Sequence, residues 1–189
     1  MFQTDSRIAW DIETSGLDWQ ADRIGTCQLH SKIFGTVIVV TRESRPENLM
    51  RLLEDVSTLK VFHHAPFDMR FMAAQWQGPI NNVACTKVAS RLLSPSLPTA
   101  EHSLKPLLRR FLGIEISKAE QMSDWLAAEL TPEQLAYAAG DVEYLLPLFD
   151  RLVSEVGNSG LSQLYQNCCS FLPTRVALEL GGWPDVFAY

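Results

Sequence analysis

The chain has 189 residues, 47% of them apolar, which is enough for one domain that buries roughly 70% of the surface its unfolded chain would expose. Its formal net charge of −6 disfavours a protein that wraps long nucleic acid, because sequence-independent binding of that kind relies on many Lys and Arg contacts to phosphates.

No stretch of the sequence approaches the roughly 20 consecutive apolar residues that a membrane-spanning helix needs. The first residues, Met1–Arg7, lack the basic and then apolar character of a signal peptide. The four cysteines have no C-x-x-C spacing and are expected to be reduced. We therefore expect a cytoplasmic protein without membrane contact, folded as a single domain over residues 1–189.

Three short runs rich in Ile, Val and Leu open the chain and predict strands at Arg7–Glu13, Gly25–His30 and Thr36–Thr41. Their close spacing indicates an antiparallel meander. Ser44 and Glu47 then form a capping-box pattern, which predicts that a helix begins here and crosses back over the sheet.

The middle of the chain alternates between strand and helix patterns. These patterns predict a strand at Leu59–His63, a helix at Pro66–Gln75, a short strand at Ile80–Val83 and a helix at Thr86–Leu93. After a proline-containing loop the pattern is helical, with helices predicted at Leu104–Phe111, Lys118–Glu129 and Ser162–Leu180.

A second capping box, from Thr131 to Gln134, opens a predicted helix that includes Gln134–Leu145. Pro147 should kink this helix or end its first segment, because proline cannot donate the hydrogen bond that helix continuation requires. Strands that come first and helices that cover them afterwards predict an α/β fold with a mixed sheet.

Four acidic residues and one phenol stand in positions where they can converge. Asp11 and Glu13 end the first strand and point to the same face of it, and Asp68 follows the strand at Leu59–His63. Tyr137 and Asp141 are one helical turn apart and share a helix face. Carboxylate oxygens are the ligands that Mg²⁺ and Mn²⁺ prefer.

Each of these features alone has an ordinary explanation. A D-x-E pair at a strand end is usually solvated, Asp68 suits a helix start, and Tyr137 suits an amphipathic core position. Their order along the chain is more specific. D-x-E at Asp11, H-x-A-x-F-D ending at Asp68 and Y-x-x-x-D ending at Asp141 resemble the motifs of the DEDDy 3′→5′ exonucleases of the ribonuclease D superfamily.

The resemblance implies a ribonuclease H-like exonuclease fold, with a mixed five-stranded sheet flanked by helices. It implies two divalent metal ions, Mg²⁺ or Mn²⁺, as cofactors. Within this superfamily the metal ligands would be Asp11, Glu13, Asp68 and Asp141, and Tyr137 would orient the attacking water. Two such ions activate water and stabilise the leaving oxygen of a phosphodiester.

Further blocks extend the resemblance over most of Ile8–Leu152, including C-T-K-x-A-S-R-L from Cys85 and Q-M-S-D-W from Gln121. The short length, the first of these blocks and the C-terminal tail are similar to the stand-alone nano-ribonuclease C (NrnC) group. That group implies very short RNA as substrate and assembly into a dimer or a ring of dimers, with the helix and tail at about 160–189 as possible oligomer contacts. We expect that the helical nucleic-acid-binding domains of ribonuclease D itself do not follow this catalytic unit, which would favour short RNA.

The resemblance also names substrate-binding candidates, each with an ordinary alternative. Leu17 would wedge against the 3′-terminal base or pack inward as a turn residue. His63 would hold phosphate or order the site, or would be a strand-end histidine whose ring is satisfied by main-chain groups. Lys87, Ser103 and Lys105 would contact phosphate, or the lysines would simply be solvated. The remaining histidines, His30, His64 and His102, have no partner spacing and are expected on the surface or in turns.

Three functions remain open at this point. The favoured one is an exoribonuclease that releases nucleoside 5′-monophosphates from short oligoribonucleotides, with dinucleotides as the expected substrates. The second uses the same chemistry to trim longer RNA or single-stranded DNA. The third is a catalytically inactive nucleic-acid-binding module on the same fold, which the presence of all five active-site positions disfavours.

Overall fold

The computed structural model describes residues 6–41, 45–116, 120, 122–183 and 185–188. Five strands form one sheet: β1 (Arg7–Thr14), β2 (Ile24–Ser31), β3 (Gly35–Val40), β4 (Leu59–Phe62) and β5 (Val83–Cys85). The strand order is β3-β2-β1-β4-β5. The first three strands are antiparallel, whereas β4 runs parallel to β1 and β5 runs parallel to β4. The predicted meander and mixed five-stranded sheet are confirmed.

Helices cover both faces of this sheet. They are α1 (Glu47–Glu54), α2 (Ala65–Trp76), α3 (Thr86–Leu93), α4 (Leu104–Leu112), α5 (Pro132–Glu143), α6 (Leu145–Asn158) and α7 (Ser162–Leu180), with a 3-10 turn at Thr99–His102. The predicted interruption near Pro147 is confirmed, because α5 and α6 are separated at Tyr144 and the proline lies in the first turn of α6. Among the described helices, none is both long and apolar enough to cross a membrane.

Alternation along β1 divides the core into two clusters. Ile8, Trp10 and Ile12 belong to a cluster with residues of α1, α2 and the later part of α7. Ala9 points the other way and belongs to a cluster with residues of α3, α4, α5 and α6. The central strand therefore has a fixed register, because a one-residue slip would exchange its two buried faces.

The last strand begins later than predicted. The prediction was Ile80–Val83, whereas β5 is Val83–Cys85. Asn82 has a left-handed backbone with φ of 50°, and its side chain donates to the Val56 carbonyl. Asn81 donates to the carbonyl of Glu54. These bonds fasten Asn81 and Asn82 to the end of α1 and to the segment after it, so only the Asn82 carbonyl, which accepts from Lys60 N at 2.9 Å, contacts β4 before Val83.

The predicted helix at Lys118–Glu129 is wrong for the residues that the structure describes there. Residues 122–129 form turns and bends. Asp124 Oδ1 accepts a hydrogen bond from the Leu126 main-chain nitrogen at 3.0 Å, a local bond that competes with helix formation. Lys118, Gln121 and the predicted cap Ser44 lie outside the described residues.

Candidate active site

Two of the predicted acidic residues lie on the central strand β1. Asp11 and Glu13 project from the same face of the sheet as Ala9, because alternate residues of a strand share a face. Both side chains are half-buried. β1 therefore presents two carboxylates toward the layer of helices that includes α5.

Asp68 reaches the same place from the first turn of α2. Its side chain is 2% exposed, and its carboxyl accepts a hydrogen bond from the main-chain N–H of Ile12. Burial raises the pKa of Asp68 well above its usual value, and the negative charge of Asp141 adds to this rise. Among the described residues, Asp68 Oδ1 has no hydrogen-bond partner although it is buried. A buried acceptor of this kind is suited to a cation.

Helix α5 supplies Tyr137 and Asp141. Its start is fixed by the predicted capping box: Gln134 N donates to Thr131 Oγ1 at 3.2 Å, and Thr131 N donates to Gln134 Oε1 at 2.9 Å. The Tyr137 hydroxyl donates to the carboxylate of Asp141. Burial and the nearby carboxylates raise the pKa of Tyr137, so the phenol keeps its proton at neutral pH.

Three carboxylates converge into one acidic cluster. Oxygen atoms of Asp11, Glu13 and Asp141 all lie within 4.8 Å of one another. Burial raises the pKa of Asp11 well above normal, with further repulsion from Asp68, Asp141 and Glu13. Burial and then repulsion from Asp141 raise the pKa of Glu13 to about 9. A cluster of hard oxygen donors that repel one another fits divalent cations such as Mg²⁺ or Mn²⁺.

Two adjoining cavities bring the predicted residues together. The acidic cleft, about 580 Å³, is lined by Asp11, Glu13, Leu17, His63, Asp68, Tyr137 and Asp141, among others. A side pocket of about 210 Å³ shares several of these residues and adds Lys87, Ser103 and Lys105. Every residue predicted for the site therefore lines one of the two cavities, although these residues come from separate strands, helices and loops.

The side pocket lies at the beginnings of two helices. Lys87 is in the first turn of α3 and Lys105 is in the first turn of α4, where main-chain N–H groups also favour anions. Burial and the neighbouring Arg91 lower the pKa of Lys87. Ser103 Oγ donates to the Ala100 carbonyl at 2.6 Å.

The surroundings of His63 disfavour its predicted contact with phosphate and agree with the two other possibilities, ordering of the site and a histidine satisfied by main-chain groups. Its Nδ1 is 2.9 Å from Thr86 Oγ1, and the main-chain carbonyl of His102 accepts a hydrogen bond from its ring. Burial, together with the positive charge of Lys87, lowers the pKa of His63 to about 3. A neutral ring held by α3 and by the 3-10 turn contributes no positive charge for phosphate binding.

Leu17 does not pack inward. Its side chain is 78% exposed, on the loop between β1 and β2, and it lines the acidic cleft. The inward-packing alternative is therefore wrong, and the side chain is available to a bound molecule.

Sequence reasoning missed other parts of the cleft wall. Met122 lines the cleft and is 91% exposed, and Trp125, only 2% exposed, packs against the ring of Tyr137 with centroids 5.9 Å apart. The Q-M-S-D-W block signalled this segment, but the helical pattern concealed its turns. His102 was expected on the surface or in a turn; it ends the 3-10 turn at Thr99–His102 but is fully buried, with Nδ1 2.7 Å from Ser90 Oγ.

A larger cavity of about 850 Å³ lies behind the loop that carries Leu17. The carboxylate in its lining, Asp22, accepts hydrogen bonds from Ser15 and Asp18. Both ends of the Gln75 amide are also bonded, to the Asp22 carbonyl and the Ile24 nitrogen. The side chains of Asp22 and Gln75 are therefore already bonded within the protein, whereas the acidic cleft has an unpartnered carboxylate oxygen.

Comparison with known proteins agrees with this geometry. A family model described as 3′-5′ exonuclease matches residues 2–157. The solved structure of NrnC from Brucella melitensis is 35% identical with a TM-score of 0.90, covering 97% of this chain and 90% of that one. The same protein has been solved bound to pGG and with bound Mg²⁺.

Two curated relatives are matched over part of their length. Ribonuclease D of Serratia proteamaculans (strain 568) is 42% identical over 170 residues, which are 90% of this chain and 45% of the relative. Exosome complex component 10 of Mus musculus is 37% identical over 131 residues, which are 68% of this chain and 14% of the relative. The chain thus spans less than half the length of each. It belongs to the ribonuclease D family of 3′-5′ exonucleases, in which NrnC is a relative matched along nearly its whole length.

Proposed function

We propose that this protein is a two-metal-ion 3′→5′ exoribonuclease that hydrolyses short oligoribonucleotides, chiefly dinucleotides, to nucleoside 5′-monophosphates. One observation carries this function: the oxygens of Asp11, Glu13 and Asp141 lie within 4.8 Å of one another, beside a phenol that donates to one of them. In addition, NrnC, a relative of almost the same length, has been solved bound to pGG.

Four carboxylates, those of Asp11, Glu13, Asp68 and Asp141, would hold the metal ions. Two divalent cations bound there, Mg²⁺ or Mn²⁺, supply a hydroxide near neutral pH and offset negative charge on the phosphate. The phenol of Tyr137 remains protonated and donates its single proton to Asp141, so it would orient the attacking water by accepting a hydrogen bond from it. Asp141 holds this phenol in place through their hydrogen bond.

The two cavities have different chemical characters that suit the two ends of a short RNA. Exposed Leu17 offers an apolar contact for the 3′-terminal base in the acidic cleft. Lys87 and Lys105 offer cationic contacts for phosphate in the side pocket, and Ser103 would join them by turning its hydroxyl proton from the Ala100 carbonyl to the phosphate. The net charge of −6 provides little general attraction for long strands, which favours a substrate that is held mainly at the site.

The polarity and product of the reaction test this function. A short RNA with a free 3′ hydroxyl should release nucleoside 5′-monophosphates in Mn²⁺ or Mg²⁺, and chelation with EDTA should stop the release. Products would be separated by chromatography. The same RNA with a 3′-terminal phosphate should be hydrolysed far more slowly. Release of internal fragments, or equal rates on the blocked RNA, would contradict 3′→5′ exonuclease activity.

A second candidate function is the trimming of longer RNA or single-stranded DNA. The 42% identity to a ribonuclease D over 90% of this chain favours it. Initial rates on a dinucleotide and on a strand of about twenty nucleotides, as RNA and as DNA, separate the two functions. A third candidate, an inactive binding module, would bind RNA without metal and release no product in Mg²⁺ or Mn²⁺.

We also propose that the chain folds as one catalytic domain and assembles with copies of itself, as a dimer or a ring of dimers. An aromatic tail surface supports this, formed by Phe171, Trp183, Val186 and Phe187. Trp183 is 60% exposed and Phe187 76% exposed, and apolar groups of this size are usually covered in the native assembly.

Light scattering coupled to size-exclusion chromatography tests the assembly. The wild-type mass should be a multiple of 21.2 kDa, and Phe187→Glu should shift it toward a single chain. Leu164→Glu, at another exposed apolar position on α7, serves as the control and should leave the mass unchanged. A wild-type protein of 21.2 kDa at micromolar concentration would contradict self-assembly.

A further inference from the structure

The Leu17 loop, residues 15–23, is built around a single carboxylate. Ser15 Oγ donates to Asp22 Oδ1 at 3.0 Å, and the Asp18 main-chain nitrogen donates to Asp22 Oδ2 at 2.9 Å. These two donors lie immediately before and after the pair Gly16-Leu17. Both oxygens of Asp22 therefore hold the short stretch that presents the exposed leucine.

Gly16 makes room for this arrangement. A Cβ atom at this position would lie 2.3 Å from Asp22 Oδ2 and 2.6 Å from its Cγ, far inside contact distance. Any side chain here would displace the carboxylate from its hydrogen bonds. The Gly16 carbonyl is also fixed, because Thr14 Oγ1 donates to it at 2.5 Å.

The base of the loop is tied to the element that carries a metal-ligand candidate. Ser15 N donates to the Arg23 carbonyl at 2.9 Å, which closes the loop across its base. Gln75, on α2, donates through Nε2 to the Asp22 carbonyl at 3.1 Å and accepts from the Ile24 nitrogen at 3.2 Å. The same helix carries Asp68, so the loop and the acidic cleft share a common support.

We infer that Asp22 is a positioning residue that fixes Leu17 at a set place relative to the acidic cluster, so that substrates are selected through contact with the 3′-terminal base. The inference rests on the Leu17 contact in the proposed function. An exposed apolar side chain on a mobile loop would have to be ordered at each binding event, and the conformational entropy lost in this ordering would reduce affinity. A loop that is ordered in advance avoids this cost.

Steady-state kinetics with a double-mutant design tests this role. Asp22→Ala, Asp22→Asn and Gly16→Ala should each raise KM for a dinucleotide roughly tenfold and change kcat less than about twofold, as loss of one apolar contact would. Leu17→Ala should give a similar rise. The double variant Leu17→Ala with Asp22→Ala should be no worse than Leu17→Ala alone, because Asp22 acts through the leucine.

Two controls separate positioning from general damage. A dinucleotide whose 3′ residue is abasic should be hydrolysed equally by wild type and all of these variants. Asp55→Ala removes a comparable loop carboxylate, which accepts from Ser57 and Thr58 away from the cleft, and should leave KM unchanged. Circular dichroism and thermal melting verify that each variant is folded.

The outcomes distinguish this inference from the proposed function. If Leu17→Ala raises KM and the Asp22 and Gly16 variants do not, or if the double variant shows additive losses, the positioning role is wrong. If Leu17→Ala itself has no effect, the Leu17 contact fails and the inference fails with it. The comparison works equally on a strand of about twenty nucleotides, so its result does not depend on dinucleotide preference.

Discussion

Protonation determines what the individual residues of the acidic cleft can do. Tyr137 has a raised pKa and donates to Asp141, so it is suited to orient water and unsuited to remove a proton from it. His63 has a pKa lowered to about 3 and is held by neighbouring elements, so the positive charge in the lining of the side pocket comes from Lys87 and Lys105. The residue types and spacing could be read from the sequence, whereas these protonation states depend on burial.

Tyr137→Phe should slow hydrolysis on the order of 10²- to 10³-fold, because it removes the hydroxyl and keeps the packing. Metal binding, measured by calorimetric titration with Mn²⁺, should remain near that of wild type. Tyr144→Phe is the matched control, because Tyr144 packs against the core cluster between α5 and α6. A Tyr137→Phe protein with wild-type kcat would rule out the proposed role of the phenol.

At the level of elements, the sequence predicted the helix starts that are determined by short local residue patterns. The start of α5 was predictable from Thr131 and Gln134, because a capping box satisfies main-chain groups within one turn. The segment at 122–126 was not, because its conformation depends on distant contacts. A Cβ atom at Gly25 would lie only 2.2 Å from the carbonyl oxygen of Trp125. This segment therefore packs directly on the backbone of β2.

Gln134 joins these two elements and provides a test of their coupling. Its Nε2 donates to Ser123 Oγ at 2.8 Å and to the Asp124 carbonyl at 3.0 Å, while its Oε1 caps α5. Gln134→Ala should lower the free energy of unfolding by about 1–3 kcal/mol, since it removes three hydrogen bonds made by a buried side chain. It should also reduce kcat, because Trp125, which packs on Tyr137, loses its anchor.

Urea unfolding and steady-state kinetics measure the two effects of Gln134→Ala. Gln163→Ala is the control: Gln163 donates to Asn167 Oδ1 at 3.0 Å in an exposed position on α7 and should affect neither quantity. Loss of stability without any loss of kcat would show that the 122–126 segment does not support Tyr137.

In the molecule as a whole, a stable fold holds a set of mutually repelling carboxylates together. The sheet places Asp11 and Glu13 on its central strand, while α2 and α5 bring Asp68 and Asp141 against them. The order of these residues in the sequence indicated their convergence, since the family motif is specific. The free-energy cost of their mutual repulsion could be inferred only from the structure, because it arises from the burial of these carboxylates beside one another.

This cost predicts a link between pH, metal and stability. The pKa of Glu13 rises to about 9 in the folded protein, and those of Asp11 and Asp68 rise as well. Between about pH 4.5 and pH 9 the metal-free folded state therefore holds more protons than the unfolded chain, so stability falls as pH rises. The Tm in EDTA should drop by roughly 5 °C between pH 6 and pH 9.

Divalent cations should reverse this trend, because they bind the ionised carboxylates. Calorimetric melting in Mg²⁺ or Mn²⁺ should show a higher Tm at pH 8 and a smaller change with pH. Glu13→Gln, which carries no charge at this position, should flatten the metal-free profile. Identical Tm profiles with and without metal would contradict a cation site at the acidic cluster.

The most direct test is a time course of hydrolysis of a 5′-labelled RNA dinucleotide by the wild type and by Asp141→Ala, in Mn²⁺ and in EDTA. Asp150→Ala, which loses a carboxylate paired with Arg7 away from the cleft, is the matched control. We predict conversion to mononucleotides by the wild type and Asp150→Ala in Mn²⁺, and none by Asp141→Ala or in EDTA. A fully active Asp141→Ala protein, or hydrolysis that persists in EDTA, would contradict a metal-dependent exonuclease site at this cleft.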